Sequence, residues 1–412
     1  MNILFIHPDF PTHFLRLAAE LGADRKNTVV LVSRERQTDW QAAGVRKVLY
    51  KDPPAEAVAK GRTREYERAI LTGEAVAEIL HTLKTKERFL PDIICGYSGG
   101  GATGFVKEVF PAVPFLAYFD WYYRSRGSNL DFDPAFPLNF GTTVNAHIRN
   151  ASILNDLTAC DHGITPTLWQ KQQLPVEFHH KITQLHDGID TDFFAPAEEK
   201  KLILPDLDLS GVVKLVTYSA AGMEPYRGFP QFIEALPVIL RQDKECHVVI
   251  SGADRSFYSP QRTDGKTYKE FMLEQVELDM DRVHFVGSLP REQHCAMLQA
   301  STVHVYLTYP FILSRSLLEA LSCGCTIVAS NTPPVLEVIS DGENGVLVDF
   351  FSAADIANKV IASLSFPSYT KMMREKARRT IEDNFSLSRQ LPRQMKLVQR
   401  IAAPVFQATL FE

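Results

Sequence analysis

Cysteine is sparse in this chain, six in 412 residues, and the six (Cys95, Cys160, Cys246, Cys295, Cys323, Cys325) are scattered, not framed at disulfide spacing. A disulfide-stapled module is excluded by that pattern, and a reduced, cytoplasmic protein is expected. Cys95 and Cys246 lie in or beside apolar runs, where a thiol acts as a small hydrophobe. Cys323-Gly-Cys325 has no second pair at ligand spacing, so it is read as structural rather than as a metal or redox site. Also missing is any run of about 18 apolar residues, and the opening MNILFIHPDFP lacks the basic flank and long apolar stretch of a leader. The expectation is no membrane span and no targeting segment. Excess positive charge is missing as well: 44 Lys plus Arg stand against 49 Asp plus Glu, a formal charge of −5 with no strongly basic block. That balance argues against nucleic acid as a partner.

What is present points to two cores, because 412 residues exceed one ordinary domain. The first half repeats a short apolar run, a turn and a helical pattern. Ile3 to His7, Thr28 to Ser33, Val45 to Tyr50, Asp92 to Gly96 and Pro114 to Asp120 read as strands. Several are apolar throughout, as parallel strands covered on both faces should be. Thr12 is placed to cap a helix carrying Phe14, Leu17 and Leu21, Thr63 to Leu83 reads as a longer amphipathic helix, and His147 to Asp161 as a core helix. Thr191 to Gly211, with two prolines and the run EEKK, reads as a linker. The strand-helix theme then restarts at Val212, with strands at 212–219, 247–251, 283–287, 303–308, 326–330 and 346–349 and helices between them. The fold class is therefore α/β: two doubly wound sheets, with a cleft expected between the carboxyl ends of their strands.

Thr308-Tyr-Pro-Phe-Ile-Leu-Ser-Arg-Ser-Leu-Leu-Glu319-Ala-Leu-Ser-Cys-Gly324 begins at a strand end and runs into a glycine-closed helix. Such a turn presents backbone N–H groups and a positive dipole end suited to phosphate. Glu319, a turn or more into that helix, is placed to accept both hydroxyls of a ribose. Its apolar neighbours Leu317, Leu318, Ala320 and Leu321 make an unpartnered solvated role costly.

Taken together, Glu224-Pro-Tyr-Arg-Gly228, Val283-His-Phe-Val-Gly287, Ser316-Leu-Leu-Glu319 through Ser330 and Asp341-Gly-Glu-Asn-Gly345 resemble the retaining GT-B glycosyltransferases of family 4, the group 1 glycosyl transferases. His186-Asp-Gly-Ile-Asp190 is similar to the element that closes their N-terminal domain. The likeness covers most of residues 180–365; the N-terminal half matches only in its βαβ pattern and its start. It implies two Rossmann-like domains facing across a cleft: residues 1–190 for the acceptor, a linker at 191–211, residues 212–384 for the nucleotide sugar, and a helical segment, 385–412, that crosses back. Arg227 stands where the family neutralises the leaving diphosphate and is the expected catalytic residue. Donor binding is assigned to Arg227, Gly228, Gly287, Ser314, Arg315, Ser316, Leu317 and Glu319, the last as the ribose-binding glutamate of the Glu-x7-Glu motif. Three departures stand out. Phe311 replaces that motif's first glutamate, Ala221 replaces a second arginine, and Thr12-His13 replaces a glycine pair.

In the first half, Gly96-Tyr-Ser-Gly-Gly-Gly-Ala-Thr-Gly104 lacks the lysine of a P-loop. It is read as shaping an acceptor or sugar pocket, to which His7, His13, Tyr97, Ser98, Gly99 and Gly100 are assigned; for the two histidines a buried ring satisfied by backbone is an equal reading. The aromatic and cationic stretch from Tyr118 adds Trp121 and Arg124, as groups that stack on or grip a sugar. A loop packed on its own aromatics is an equal reading of that stretch. Asp131-Phe-Asp133 and Asp206-Leu-Asp208 imitate a metal motif but lack a strand-end setting, so no metal is expected. Arg389, Arg393, Lys396 and Arg400 form a basic strip, read first as a solvated face, with a membrane surface, at the inner membrane face, or an acidic partner as the alternatives. The expected activity is transfer of a hexose-type residue from a nucleotide-diphosphate sugar, the co-substrate, to a saccharide or lipid-linked acceptor. No cofactor is required. The alternative is a GT-B module that binds nucleotide sugar or glycan without turnover. Base, sugar, acceptor and oligomeric state are not specified by these residues.

Overall fold

A computed structural model describes residues 1–8, 13–35, 41–54, 58, 61–199 and 201–403. The chain divides into two compact units: Met1–Asp187 with the chain from Gln390 onward, and Gly188–Arg389.

The first unit holds β1 (Asn2–His7), α1 (Leu15–Ala23), β2 (Thr28–Arg34), β3 (Val45–Tyr50), α2 (Arg64–Thr85), β4 (Ile93–Tyr97), α3 (Val106–Val109), β5 (Phe115–Tyr118), α4 (Phe140–Ala159), β6 (His162–Thr165), α5 (Leu168–Gln173) and β7 (Ile182–Gln184). Its sheet has the order β3-β2-β1-β4-β5-β6-β7, every pairing parallel. The unbroken apolar runs are explained by the two buried faces. Ile3, Phe5, Val29 and Leu31 pack with Leu17 and Leu21 of α1. Leu4, Ile6, Val30 and Val32 pack with Val76 and Leu80 of α2 and Ile153 and Leu157 of α4. Both faces are thus closed by helices, as a parallel sheet requires.

The second unit opens with an antiparallel pair, β8 (Ile203–Leu204) and β9 (Leu207–Asp208). There follow β10 (Lys214–Gly222), α6 (Phe229–Gln242), β11 (Cys246–Ala253), α7 (Tyr268–Gln275), β12 (Val283–Gly287), α8 (Arg291–Ala300), β13 (Val303–Tyr306), α9 (Arg315–Ser322), β14 (Thr326–Ser330), α10 (Pro333–Leu336), β15 (Val346–Val348), α11 (Ala353–Ser365) and α12 (Pro367–Asn384). The order β12-β11-β10-β13-β14-β15, again all parallel, reverses direction between β10 and β13, just as the first sheet reverses between β1 and β4. Ligands of doubly wound sheets sit outside the carboxyl ends of the strands at that reversal.

Several expectations need correction. Residues 191–211 are no free linker, because Phe194, Leu202, Leu204 and Leu209 are buried in the second unit's core beside Leu317 and Ile381. The units meet in sequence at Asp187/Gly188, not at residue 190, and the chain rejoins the first unit at Gln390, not 385. Two short strands, β6 and β7, and the polar helix α12 were not anticipated. The final helix, α13 (Leu387–Ala402), buries Leu397 and Val398 in the first unit's core, and Gln394 Nε2 donates to the His186 carbonyl at 2.9 Å. Thr12, the expected cap of α1, lies outside the described residues.

Candidate functional site

In the second unit the chain leaves β10, makes a short 3-10 turn at Pro225–Arg227 and enters α6 through Gly228. Gly228 has φ +65°, and a Cβ there would lie 2.4 Å from Leu307 Cβ, so only glycine lets this turn approach the end of β13. The turn brings Arg227 to the carboxyl edge at the reversal point. The residue is 8% exposed, and among the described residues no carboxylate lies within ion-pair distance of it. All of its side-chain hydrogen bonds use Nη1: to Thr308 Oγ1 at 2.8 Å and to the Ile312 carbonyl at 3.5 Å. Tyr218 OH donates to the Arg227 carbonyl at 2.8 Å, fixing the backbone. A guanidinium carries five N–H donors and stays charged, so Nε and Nη2 retain donors for a planar anion. The carboxylate of buried Glu224 acts on this cation through its charge but makes no direct ion pair with it, so an anion reaching the spare donors would add a direct partner.

The partners of Arg227 sit on the turn from β13 into α9, which also carries the expected phosphate donors. That turn is more self-satisfied than the sequence suggests. Ser314 N–H donates to Tyr306 Oη at 3.1 Å, Ser316 N–H to Ser314 Oγ at 3.3 Å, and Leu317 N–H to the Ser314 carbonyl at 3.3 Å. Leu317 has its side chain wholly in the core. Arg315 donates to the Gly188 carbonyl at 3.0 Å and lies 3.9 Å from Glu319. Glu319, half-buried, also faces His294 of α8, with Nε2 and Oε2 3.5 Å apart. His294 escaped the sequence reading because its partner lies 25 positions later. Gly287 ends β12 with φ +66° and open space where a side chain would be.

Phe311 does more than omit a carboxylate. It is 3% exposed, edge-on to Tyr226 at 5.7 Å and Tyr258 at 5.1 Å, while Tyr226 stacks on Tyr309 at 4.5 Å. The loop bearing Tyr258 is clamped by Glu224, whose Oε2 accepts the N–H groups of Phe257, Tyr258 and Ser259 at 3.1, 2.9 and 2.7 Å. An aromatic wall therefore stands beside Arg227, with its guanidinium carbon 5.5 Å from the Tyr258 ring centre.

The first unit places His7 at the end of β1 and Tyr97 at the end of β4, again at the reversal point. His7 Nε2 and His13 Nδ1 are 3.4 Å apart, the His13 ring lies 5.7, 5.2 and 4.5 Å from those of His7, Tyr97 and Tyr118, and the Tyr97 ring lies 4.6 Å from His7 and 5.9 Å from Tyr118. Tyr97 OH donates to Asp120 Oδ2 at 3.1 Å, and Gln170 Nε2 to Asp120 Oδ1 at 3.1 Å and to its carbonyl at 2.7 Å. Burial raises the Asp120 carboxyl above the usual range, and Asp187 reinforces the shift; His13, Tyr97 and Gln170 oppose it. Asp120 was passed over in the sequence because its partners are 23 and 50 positions away.

Other assignments in this unit are corrected by their contacts. Ser98 is buried beneath the glycine loop, its Oγ donating to Asp156 Oδ2 at 2.7 Å, with Thr103 Oγ1 on the same oxygen at 2.8 Å. Burial pushes Asp156 up to about 6. Gly101 is a packing glycine, since a Cβ there would meet the Ala69 carbonyl of α2 at 1.9 Å. Gly99, with φ +100°, and Gly100, beside Pro8, remain at the loop surface. Arg124 is spent on the carbonyls of Gln172, Gln173 and Leu174 at the end of α5. Trp121 is buried against Trp169 at 6.3 Å. Neither is a loose sugar-gripping group. Asp131 accepts from the Gly127 and Ser128 N–H groups, Asp133 from Ala135 and Asp208 from Ser210, so these carboxylates staple their own turns. All six cysteines are buried as free thiols.

Two family models match: glycosyl transferase family 4 group over residues 25–194 and glycosyl transferases group 1 over residues 212–380. An uncharacterised glycosyltransferase of Methanocaldococcus jannaschii is 31% identical over 120 residues, 29% of this chain and 31% of that protein. Alpha-D-kanosaminyltransferase of Streptomyces kanamyceticus is 27% identical over 222 residues, 53% of each. The chain thus spans about a third to a half of these relatives' length. The crystal structure of Anabaena HepE in complex with UDP superposes with a TM-score of 0.68 at 13% identity, covering 97% of this chain and 100% of that one. Both units carry the parallel sheets and reversal points this architecture needs, and the matches fall one on each: the chain belongs to the group 1, family 4 glycosyltransferases of the GT-B fold.

Proposed function

We propose that this protein transfers a hexose-type residue, with retention of anomeric configuration, from a nucleotide-diphosphate sugar to a saccharide or lipid-linked acceptor, and needs no metal to do so. The observation that carries the reading is Arg227: a buried guanidinium that makes no direct ion pair among the described residues, feels the Glu224 carboxylate only through its charge, and is held by one nitrogen at the carboxyl edge where such sheets bind ligands. A nucleoside diphosphate supplies a directly bound anion, and its charge grows as the glycosidic bond breaks. A fixed cation there stabilises the transition state more than the ground state. Glu319, steadied by His294 and Arg315, takes the ribose hydroxyls, and Ser314 and Ser316 offer hydroxyls to the distal phosphate. In a front-face transfer the acceptor hydroxyl attacks on the side from which the diphosphate departs. Its proton goes to the departing phosphate, so fixed charge in this unit substitutes for a metal. The UDP complex of the structurally similar HepE supports a nucleotide ligand for this fold.

Calorimetric titration with UDP, GDP and ADP, and with their sugars, tests the reading. Saturable binding of one base and donor-dependent nucleotide release are expected; absence of binding to all three overturns it. Phe311, locked into an aromatic wall where a sugar-binding carboxylate is expected, favours one second reading, a binding module. Tight donor binding without turnover on any acceptor or on water would select that reading.

A further inference from the structure

Resting on the donor reading, we propose that His294 is the positioning residue of the ribose site: it holds the Glu319 carboxylate in one plane, so that the site takes ribonucleoside diphosphates in preference to their 2′-deoxy counterparts. The two side chains come from neighbouring helices, α8 and α9, with Nε2 and Oε2 3.5 Å apart and the side chains 17% and 16% exposed. Arg315 Nε stands 3.9 Å from the other oxygen. Both approaches are long, and a carboxylate has about four acceptor positions, so both oxygens keep room for hydroxyls.

Residues 193–195, in the stretch expected to be a linker, fix the spacing of the two helices. On the α8 side, the Arg291 guanidinium lies 3.7 Å from the Phe193 ring centre, Cys295 Sγ donates to the Phe193 carbonyl at 3.3 Å, and Gln299 Nε2 donates to the Ala195 carbonyl at 2.8 Å. On the α9 side, Ser322 Oγ donates to the Phe194 carbonyl at 2.6 Å, and Arg378 Nη1 donates to that carbonyl at 2.7 Å and to the Ser322 carbonyl at 2.8 Å. The Phe194 ring, 3% exposed, meets the His294 ring edge-on at 6.3 Å. One strap therefore grips both helices and braces the imidazole. The terminal torsion of a glutamate is broad unless a neighbour holds it. Free, the carboxylate accepts one hydroxyl as readily as two; held, it presents both oxygens to the 2′,3′-diol with little further ordering to do. Removal of the 2′-hydroxyl then leaves a fixed, half-buried oxygen unpaired, and a site built for a hydroxyl rejects the analogue that lacks it.

Calorimetry on the full chain, with UDP, GDP and ADP and the 2′-deoxy form of each, is the test. The parent should bind one ribonucleotide about tenfold more tightly than its deoxy form, the value of a hydrogen bond to a charged group. His294→Phe keeps a ring against Phe194 and removes the N–H, and it should bring that ratio towards unity. His294→Gln retains an N–H donor and should restore most of the preference. A role in packing alone would weaken both nucleotides alike, so an unchanged ratio in His294→Phe overturns the proposal. So does a parent that binds a ribonucleotide no more tightly than its deoxy form, a result that needs no variant to fold. Failure of all three ribonucleotides to bind the parent overturns the donor reading instead.

Discussion

At the carboxyl edge of the first sheet the reversal point is lined with aromatic rings and a carboxyl, His7, His13, Tyr97 and Asp120, whereas at the second it is lined with a permanent cation, Arg227, and with groups that hold it. Two sheets that share one order over six strands thus present different side chains at their reversal points. A diphosphate is charged at every working pH, and a guanidinium that never deprotonates suits it. A sugar hydroxyl is neutral, and only a polar acceptor in a partly dry setting singles it out. Topology supplies the place, and the side chain at the strand end decides what is held there.

The sharpest way to break this comparison is Arg227→Ala. If the second edge works through fixed charge, UDP affinity should fall about a hundredfold and turnover about 10² to 10³-fold, with acceptor binding by the first unit unchanged. Loss of both ligands together would show that the division of labour is wrong. Glu319→Ala should cost less, about 1.5 to 3 kcal/mol of nucleotide affinity for a charged hydrogen bond, read by calorimetry. An unchanged constant would remove Glu319 from the site and leave its contact with His294 as structural.

Arg227 was named in the sequence through its place in the family resemblance, and Glu319 through an otherwise apolar helix together with that resemblance. Asp120, Asp156 and His294 were not, because each is defined by partners 23 to 58 residues away, and a sequence read in windows does not bring them together. The same holds for 191–211. Its prolines and charges are real, but Phe194 and Leu202 find their cover on α9 and α12, which lie far along the chain. The strands β6 and β7, four and three residues long, carry too little pattern to be seen. The apolar runs of β1, β2, β10 and β14 were plain, since a strand buried on both faces writes its environment into every residue.

Buried titratable groups offer a third test, of opposite sign in the two units. His304, in strand β13 with Nδ1 2.9 Å from Thr217 Oγ1 and Nε2 unpartnered among the described residues, is pulled down to about 3 by burial. The folded state keeps it neutral, so the stability this gives is present above the unfolded value near 6.5 and is lost as pH falls. Asp156 is raised to about 6, so the folded first unit holds its proton more tightly than the unfolded chain. That advantage is complete below about pH 4 and is lost as pH rises through 6. Each slope approaches about 1.4 kcal/mol per pH unit between the two values concerned. Hydrogen exchange, corrected for intrinsic rate, should show β10 and β13 losing protection from pH 6.5 to 5 while the glycine loop and α4 gain it. Asp156→Asn should abolish the gain; a common slope in both units would refute the contrast.

The smallest effect comes from two exposed glycines, one at each edge. Gly287 and Gly99 both have positive φ, and a methyl group on either meets no close contact: nothing within 4 Å at Gly287, and Ile153 Cγ1 at 3.4 Å from Gly99. Alanine at either site should therefore cost about 1 kcal/mol of stability from the left-handed backbone alone, measured by denaturant titration. Ligand binding separates them. If a nucleotide lies against the end of β12, the methyl at Gly287 enters space the ligand occupies, and UDP affinity should drop several-fold beyond the loss in stability. Gly99→Ala should leave UDP untouched if, as proposed, the donor is held by the second unit. Equal UDP affinity in both variants would place the base away from Gly287 and leave Arg227 and Glu319 as the groups that anchor the donor.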